Sequence, residues 1–200
     1  MVTIVDYGSG NLRSVQKACE RLGVAARITD DPNRVAEAEK LVLPGVGAFG
    51  DAMRELQARG LVEPIIAHVN ADRPFFGICM GLQLLFETGL EGGRHAGLAV
   101  LAGDVVRFAL PAGMKVPHMG WNTVTWTDVD ATRAAAAADD YFYFVHAYHA
   151  RPADAMVIAA TTDYGGPFCS AVRRGRLFAT QFHPEKSQAA GLRLLASFLA

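Results

Sequence analysis

In the first half of the chain, short apolar runs alternate with stretches whose apolar residues recur every three or four positions. Residues 2–6 form such a run, closed by Gly8-Ser9-Gly10. Residues 11–22 follow, with Leu12, Val15, Ala18, Cys19 and Leu22 on one helical face. Gly23 stops that helix. Residues 24–29 predict a second strand, Asp31-Pro32 opens a short helix, and residues 40–43 predict a third strand broken by Pro44-Gly45. Helices are predicted over 48–59 and 61–70, with Pro64 tolerable in a first turn. Residues 74–79 predict a fourth strand that runs directly into a helix over 80–88. Alternation of this kind implies a parallel sheet with helices on both faces.

From about Gly97 the pattern changes to strands separated by turns, predicted over 103–108, 121–125, 141–149 and 156–162. Residues 168–173 and 176–182 read as a hairpin through Arg174-Gly175. A closing helix over 187–199 places Leu192, Leu195 and Leu199 on one face. The Ala-rich stretch 131–138 reads as a short helix or a loose surface segment. No repeat or linker interrupts the chain, so the expectation is one α/β domain over residues 1–200. Its architecture is expected to be three layers, a mainly parallel central sheet with an antiparallel extension.

Composition narrows the function classes. Hydrophobic residues make up 51% and charged residues 20%, which supports a packed core and argues against disorder. The net charge of −1 gives no electrostatic reason to expect nucleic acid, whose binding needs a basic face. No apolar run reaches the roughly 18 residues of a membrane span, and the start has no basic n-region or long apolar stretch. The cysteines, Cys19, Cys79 and Cys169, are three in number, widely spaced and without a C-x-x-C pair. That pattern fits a reducing compartment and excludes a disulfide scaffold. A cytoplasmic protein is expected. The histidines show no metal-ligand spacing, and no metal is assigned.

The candidate chemistry begins at Gly77-Ile78-Cys79-Met80-Gly81. This G-x-C-x-G lies between a predicted strand and a predicted helix, the form of a nucleophile elbow. A thiol there stands at a helix N-terminus, where the dipole favours thiolate. Taken alone, the motif serves equally for a buried core cysteine beside two packing glycines. Cys19, on an apolar helix stripe, and Cys169, in an apolar strand, read as inert. Gln181-Phe182-His183-Pro184-Glu185 then ends a late strand. There His183 and Glu185, two apart, share one side, so the carboxylate can orient the imidazole. Nucleophile and base each supply what the other lacks.

Gly45-Val46-Gly47-Ala48-Phe49-Gly50 formally matches the dinucleotide fingerprint G-x-G-x-x-G. That reading requires an acidic residue closing the next strand. The nearest candidate, Asp72, precedes that strand, so the match is set aside.

Pro44-Gly45-Val46-Gly47, the elbow through Leu82-Gln83, and His183-Pro184-Glu185 resemble, in order and spacing, the three signatures of class I glutamine amidotransferases. The resemblance spans nearly the whole chain. It implies that family's three-layer, flavodoxin-like fold and the hydrolysis of L-glutamine to glutamate and ammonia. It also implies Cys79, His183 and Glu185 as catalytic triad, and the backbone N–H groups of Gly47 and Met80 as oxyanion donors. Gln83, Glu91, His146, Ala147 and Tyr148 are implied as the glutamine-binding positions. The family commonly carries a hydroxyl residue where Ala147 stands. No cofactor is expected, since thiolate acyl transfer requires neither redox chemistry nor metal.

Pro117-His118-Met119-Gly120-Trp121-Asn122 and Asp6-Tyr7-Gly8-Ser9-Gly10-Asn11 resemble one branch, the glutaminase subunits of imidazole glycerol phosphate synthases in histidine biosynthesis. That branch implies a heterodimer with a (β/α)8-barrel cyclase subunit receiving the ammonia. Asn11, Trp121, Tyr143 and Lys186 would then lie on the interface. Two rivals stay open: a glutaminase serving another pathway or a cysteine hydrolase of the same architecture acting alone, against which the segment 117–122 argues, and a catalytically idle scaffold. The complete Cys79, His183 and Glu185 set argues against the scaffold.

Overall fold

A computed structural model describes residues 1–127 and 140–200; the Ala-rich stretch 131–138 lies outside the described residues. The first half is built from β1 (Val2–Val5), α1 (Leu12–Arg21), β2 (Ala26–Thr29), α2 (Pro32–Ala36), β3 (Lys40–Gly45), α3 (Phe49–Ala58), α4 (Val62–Asn70), β4 (Phe75–Cys79) and α5 (Met80–Gln83). The strands β5 (Phe86–Gly89), β6 (His95–Ala96), β7 (Leu101–Arg107), β8 (His118–Thr123), β9 (Thr125–Trp126), β10 (Tyr141–His146) and β11 (Tyr148–Pro152) follow. The chain continues through β12 (Ile158–Asp163), β13 (Pro167–Arg174), β14 (Leu177–Thr180) and α6 (Gln188–Leu199).

The main sheet runs β2-β1-β3-β4-β14-β13-β11-β7-β5-β6, and β10 pairs with β8 apart from it. From β2 to β14 every neighbour is parallel. Beyond β14 the pairs to β13, β11 and β7 are antiparallel. The expected parallel sheet with an antiparallel extension is what forms. Pleating sends neighbouring residues to opposite cores. Leu41, Leu43 and Phe75 pack beneath α2, α3 and α4, whereas Val42, Phe76 and Ile78 pack beneath α1 and α6.

The elements differ from expectation in places that bear on the site. The helix expected over 80–88 lasts one turn, and Phe86–Gly89 is a strand paired with β7. Leu84, Leu85 and Phe86 are all fully buried, and a continuous apolar run carries no period that separates helix from strand. Residues 141–149 split into β10 and β11 at Ala147, whose carbonyl accepts from Phe108 N–H at 3.0 Å. β3 also continues through Pro44 and Gly45. Its ladder to β1 ends at Val42, so the proline lies where the strand is paired only with β4.

Candidate active site

Cys79 ends β4 with φ 54° and ψ −104°, a conformation that side-chain-bearing residues avoid. Such strain costs about 1–3 kcal/mol and persists only where the surroundings enforce it. The flanking glycines do so by allowing close packing. A Cβ on Gly77 would stand 2.7 Å from the Gly81 carbonyl oxygen, and one on Gly81 would stand 1.8 Å from that of Leu43. Neither glycine has a positive φ. They are glycines for room, so that α5 can turn back against β3 and β4.

His183 and Glu185 lie just past β14, the strand beside β4. The sequence pattern places them along a strand; the structure brings them together through a 3-10 turn, Pro184–Lys186. His183 Nδ1 lies 2.8 Å from Glu185 Oε1, with the two side chains 3% and 2% exposed. Burial disfavours the imidazolium, but the Cys79 sulfur and then the Glu185 carboxylate outweigh it and push the His183 pKa up to about 10. His183 Nε2 is buried without a hydrogen-bond partner. Ser187 Oγ donates to the His183 carbonyl at 2.6 Å and accepts from Tyr143 N–H at 3.0 Å, tying this turn to β10.

A cavity of about 250 Å³ opens beside Cys79, lined by Val46, Gly47, Met80, Gln83, Glu91, Val145, His146, Ala147 and Tyr148. Every position expected for glutamine binding and for the oxyanion is on this wall. Gln83 donates from Nε2 to the Tyr148 carbonyl at 2.9 Å and to Gln181 Oε1 at 3.0 Å. Glu91 Oε2 accepts from Phe49 N–H at 2.8 Å, so it also anchors the start of α3. Ala147 meets the cavity between two strands with its carbonyl engaged by Phe108.

The glycine-rich segment set aside as a dinucleotide fingerprint forms one side of this cavity. Gly47 has φ 99°, and Ser9 Oγ donates to the Val46 carbonyl at 2.6 Å. Met80 opens α5, at a position where the N–H has no intrahelical acceptor. Of the expected interface residues, Trp121 and Tyr143 pair edge to face at 5.9 Å, and Lys186 Nζ stands 5.8 Å over the Tyr143 ring, within cation–π range. Asn11 is the N-cap of α1 and exposed, just after Gly10, which packs on Gly45.

The sequence reading missed Gln181, Val46 and Val145. Gln181 is fully buried and directs Nε2 at Cys79 Sγ, 3.7 Å away. Its one visible signal was an amide two residues before His183. Cys19 and Cys169 stand away from the cavity, and burial pushes their thiols up to about 11 and about 12. Among the described residues no group of three or more His, Cys, Asp or Glu could hold a metal ion. No described helix is long and apolar enough to cross a membrane.

A strained cysteine on an elbow, a carboxylate-held imidazole and an adjoining cavity have the form of a thiol-dependent acyl-transfer enzyme on a doubly covered α/β sheet. The family model for glutamine amidotransferase class-I matches residues 3–200, and the chain belongs to that family. A relative from Rhodopirellula baltica named "Imidazole glycerol phosphate synthase subunit HisH" is 61% identical over 99% of this chain and 96% of its own length. The subunit of the same name from Syntrophotalea carbinolica is 55% identical over 99% and 98%. That from Geobacter metallireducens is 50% identical over 98% and 96%. Among solved structures, a glutamine amidotransferase superposes with TM-score 0.77 at 22% identity, covering 100% of this chain and 97% of its own. The PurLQS structure from Thermotoga maritima gives 0.76 at 17% identity, covering 99% and 96%. These two likenesses establish the fold.

Proposed function

We propose that this chain, as one glutamine amidotransferase domain over residues 1–200, is the glutaminase subunit of an imidazole glycerol phosphate synthase and acts in the cytoplasm. It hydrolyses L-glutamine to L-glutamate and ammonia. The ammonia passes to a (β/α)8-barrel cyclase subunit, which makes imidazole glycerol phosphate and aminoimidazole carboxamide ribonucleotide in histidine biosynthesis. One observation carries the chemical part, the strained Cys79 at the rim of a cavity beside the buried His183–Glu185 pair. Full-length relatives named HisH support the placement in the synthase.

In this reading the Cys79 thiolate attacks the side-chain carboxamide carbon of glutamine. The N–H groups of Gly47 and Met80 receive the charge that develops on its oxygen. His183, held by Glu185, gives its proton to the departing nitrogen, and ammonia leaves as the thioester forms. Water then attacks the thioester carbon, His183 takes its proton, and glutamate and the thiolate are released. Gln83 and Glu91 hold the glutamine, and the backbone of His146, Ala147 and Tyr148 lines its pocket. Asn11, Trp121, Tyr143 and Lys186 face the cyclase.

The test is glutamate release by the chain alone, then with the barrel subunit and its ligand added. Strong stimulation is expected. Cys79→Ala is expected to abolish glutamine-dependent turnover while ammonia-dependent synthesis by the complex survives. Glutamine turnover that persists in Cys79→Ala would remove the assignment.

A further inference from the structure

One hydrogen-bonded chain runs from β8 to the sulfur of Cys79, and its polarity is forced. The Tyr148 carbonyl accepts from His146 Nδ1 at 2.8 Å and from Gln83 Nε2 at 2.9 Å. A carbonyl only accepts, so His146 carries its hydrogen on Nδ1. Burial pushes the His146 pKa down to about 3, so the ring is neutral near pH 7 and its Nε2 is bare. That Nε2 lies 3.0 Å from His118 Nδ1, which must therefore donate. Burial likewise holds His118 down, to about 4, and leaves its Nε2 to accept from Asn122 Nδ2 at 3.3 Å. The Asn122 amide is fixed at both ends. Nδ2 also donates to the Asp163 carbonyl at 2.9 Å, and Oδ1 accepts from Thr123 N–H at 2.8 Å. On the far side of Tyr148, Gln83 passes the chain to Gln181 and Gln181 to Cys79.

Packing alone does not call for these imidazoles. His118 is stacked between Phe144 and Tyr164, with centroids at 4.7 and 4.1 Å, in a cluster where phenylalanine fills equivalent space. His118 and His146 are also direct register partners across the β8–β10 pair. The exposed residues of β8 are Met119, Trp121 and Thr123, and Trp121 is among those assigned above to the cyclase face. We propose that His118 is a positioning residue for the glutamine pocket, holding the 146–148 wall through His146 and joining that wall to the strand that meets the cyclase. The inference rests on the glutaminase reading above.

Two variants separate the hydrogen bond from the packing. His118→Phe keeps the stacked ring and removes the donor, whereas His118→Asn keeps a donor near the Nδ1 position and loses the ring. In the complex with cyclase and ligand, His118→Phe is expected to raise the KM for glutamine about tenfold, the factor one lost buried hydrogen bond carries, with kcat within about twofold. His118→Asn is expected to recover a KM within about threefold of wild type although it is the less stable variant. A KM unchanged in His118→Phe, or equal losses in both variants, overturns the proposal. Nitrogen-15 NMR of the wild-type chain is expected to show both rings neutral and protonated on Nδ1. Either ring protonated on Nε2 overturns the proposal, even where His118→Phe does not fold. A wild-type complex that releases no glutamate overturns the glutaminase reading, and the positioning role falls with it. An active wild type with an indifferent His118→Phe overturns the positioning role alone.

Discussion

Replacing Glu185 by glutamine keeps the shape of the side chain and an acceptor for His183 Nδ1–H while removing the charge. Both partners are almost fully buried, so water cannot take the place of the carboxylate. A hydrogen bond to a charged group contributes about 1.5–3 kcal/mol and one to a neutral group about 0.5–1.5. The difference, about 1–2 kcal/mol at the step where the imidazolium forms, lowers turnover about 5- to 30-fold. The measurement is glutamate release by the complex at saturating glutamine, with ammonia-dependent synthesis as the control that stays constant. The same substitution alters stability with a defined sign. The folded pKa of His183 is raised from 6.5 to about 10. Its interactions therefore stabilise the fold fully below about pH 6.5 and fade as pH rises through about 10. Denaturant unfolding is expected to show the wild-type advantage over Glu185→Gln largest near about pH 6 and shrinking toward about pH 10. Turnover within about twofold of wild type, or an advantage that grows with pH, refutes the pairing argument.

A glutamine analogue carrying an electrophile is expected to label Cys79 and spare Cys19 and Cys169, whose thiols are buried and pushed up; peptide mapping that finds either of those labelled refutes the choice of nucleophile. Gly81→Ala forces a Cβ onto the Leu43 carbonyl. It is expected to cost about 3 kcal/mol, a fall in Tm of roughly 6–12 °C by calorimetry, and a fall of under about 2 °C counts against the packing account of the elbow. Lys186→Ala, which removes the cation over Tyr143, is expected to cut stimulation by partner and ligand at least about fivefold, with glutamine affinity measured separately and held within about twofold.

What could be read from the sequence was whatever local geometry demands of particular residues. The elbow was legible because its tight turn excludes side chains on both sides of Cys79, and Gly77 and Gly81 advertise that. The parallel half of the sheet was legible because each strand and helix keeps its own period. Phe86–Gly89 was not, since Leu84, Leu85 and Phe86 are buried all round and have no polar face. The break at Ala147 depends on Phe108, and the role of Gln181 depends on Gln83 and Cys79. Such contacts between distant segments leave no mark at either position. His183 and Glu185 were paired correctly for the wrong local reason, a strand in place of a turn.

The placing of β14 bears on the order in which the molecule is made. Along the main sheet, the β4–β14 ladder is what joins the first-half strands to the antiparallel ones. A ribosome therefore completes β1 to β4, with Cys79 in place, while β4 still has an unpaired edge. Gln181, which reaches the Cys79 sulfur, is synthesised 102 residues later. Until then the nascent chain carries an open, wholly apolar strand edge, a template for association with other chains. It also carries a thiol without its base. Synthesis that stalls before β14 yields a fragment with that edge open and without His183 and Glu185, so one late segment, β14 with the turn after it, both covers the edge and supplies the groups that face the thiol.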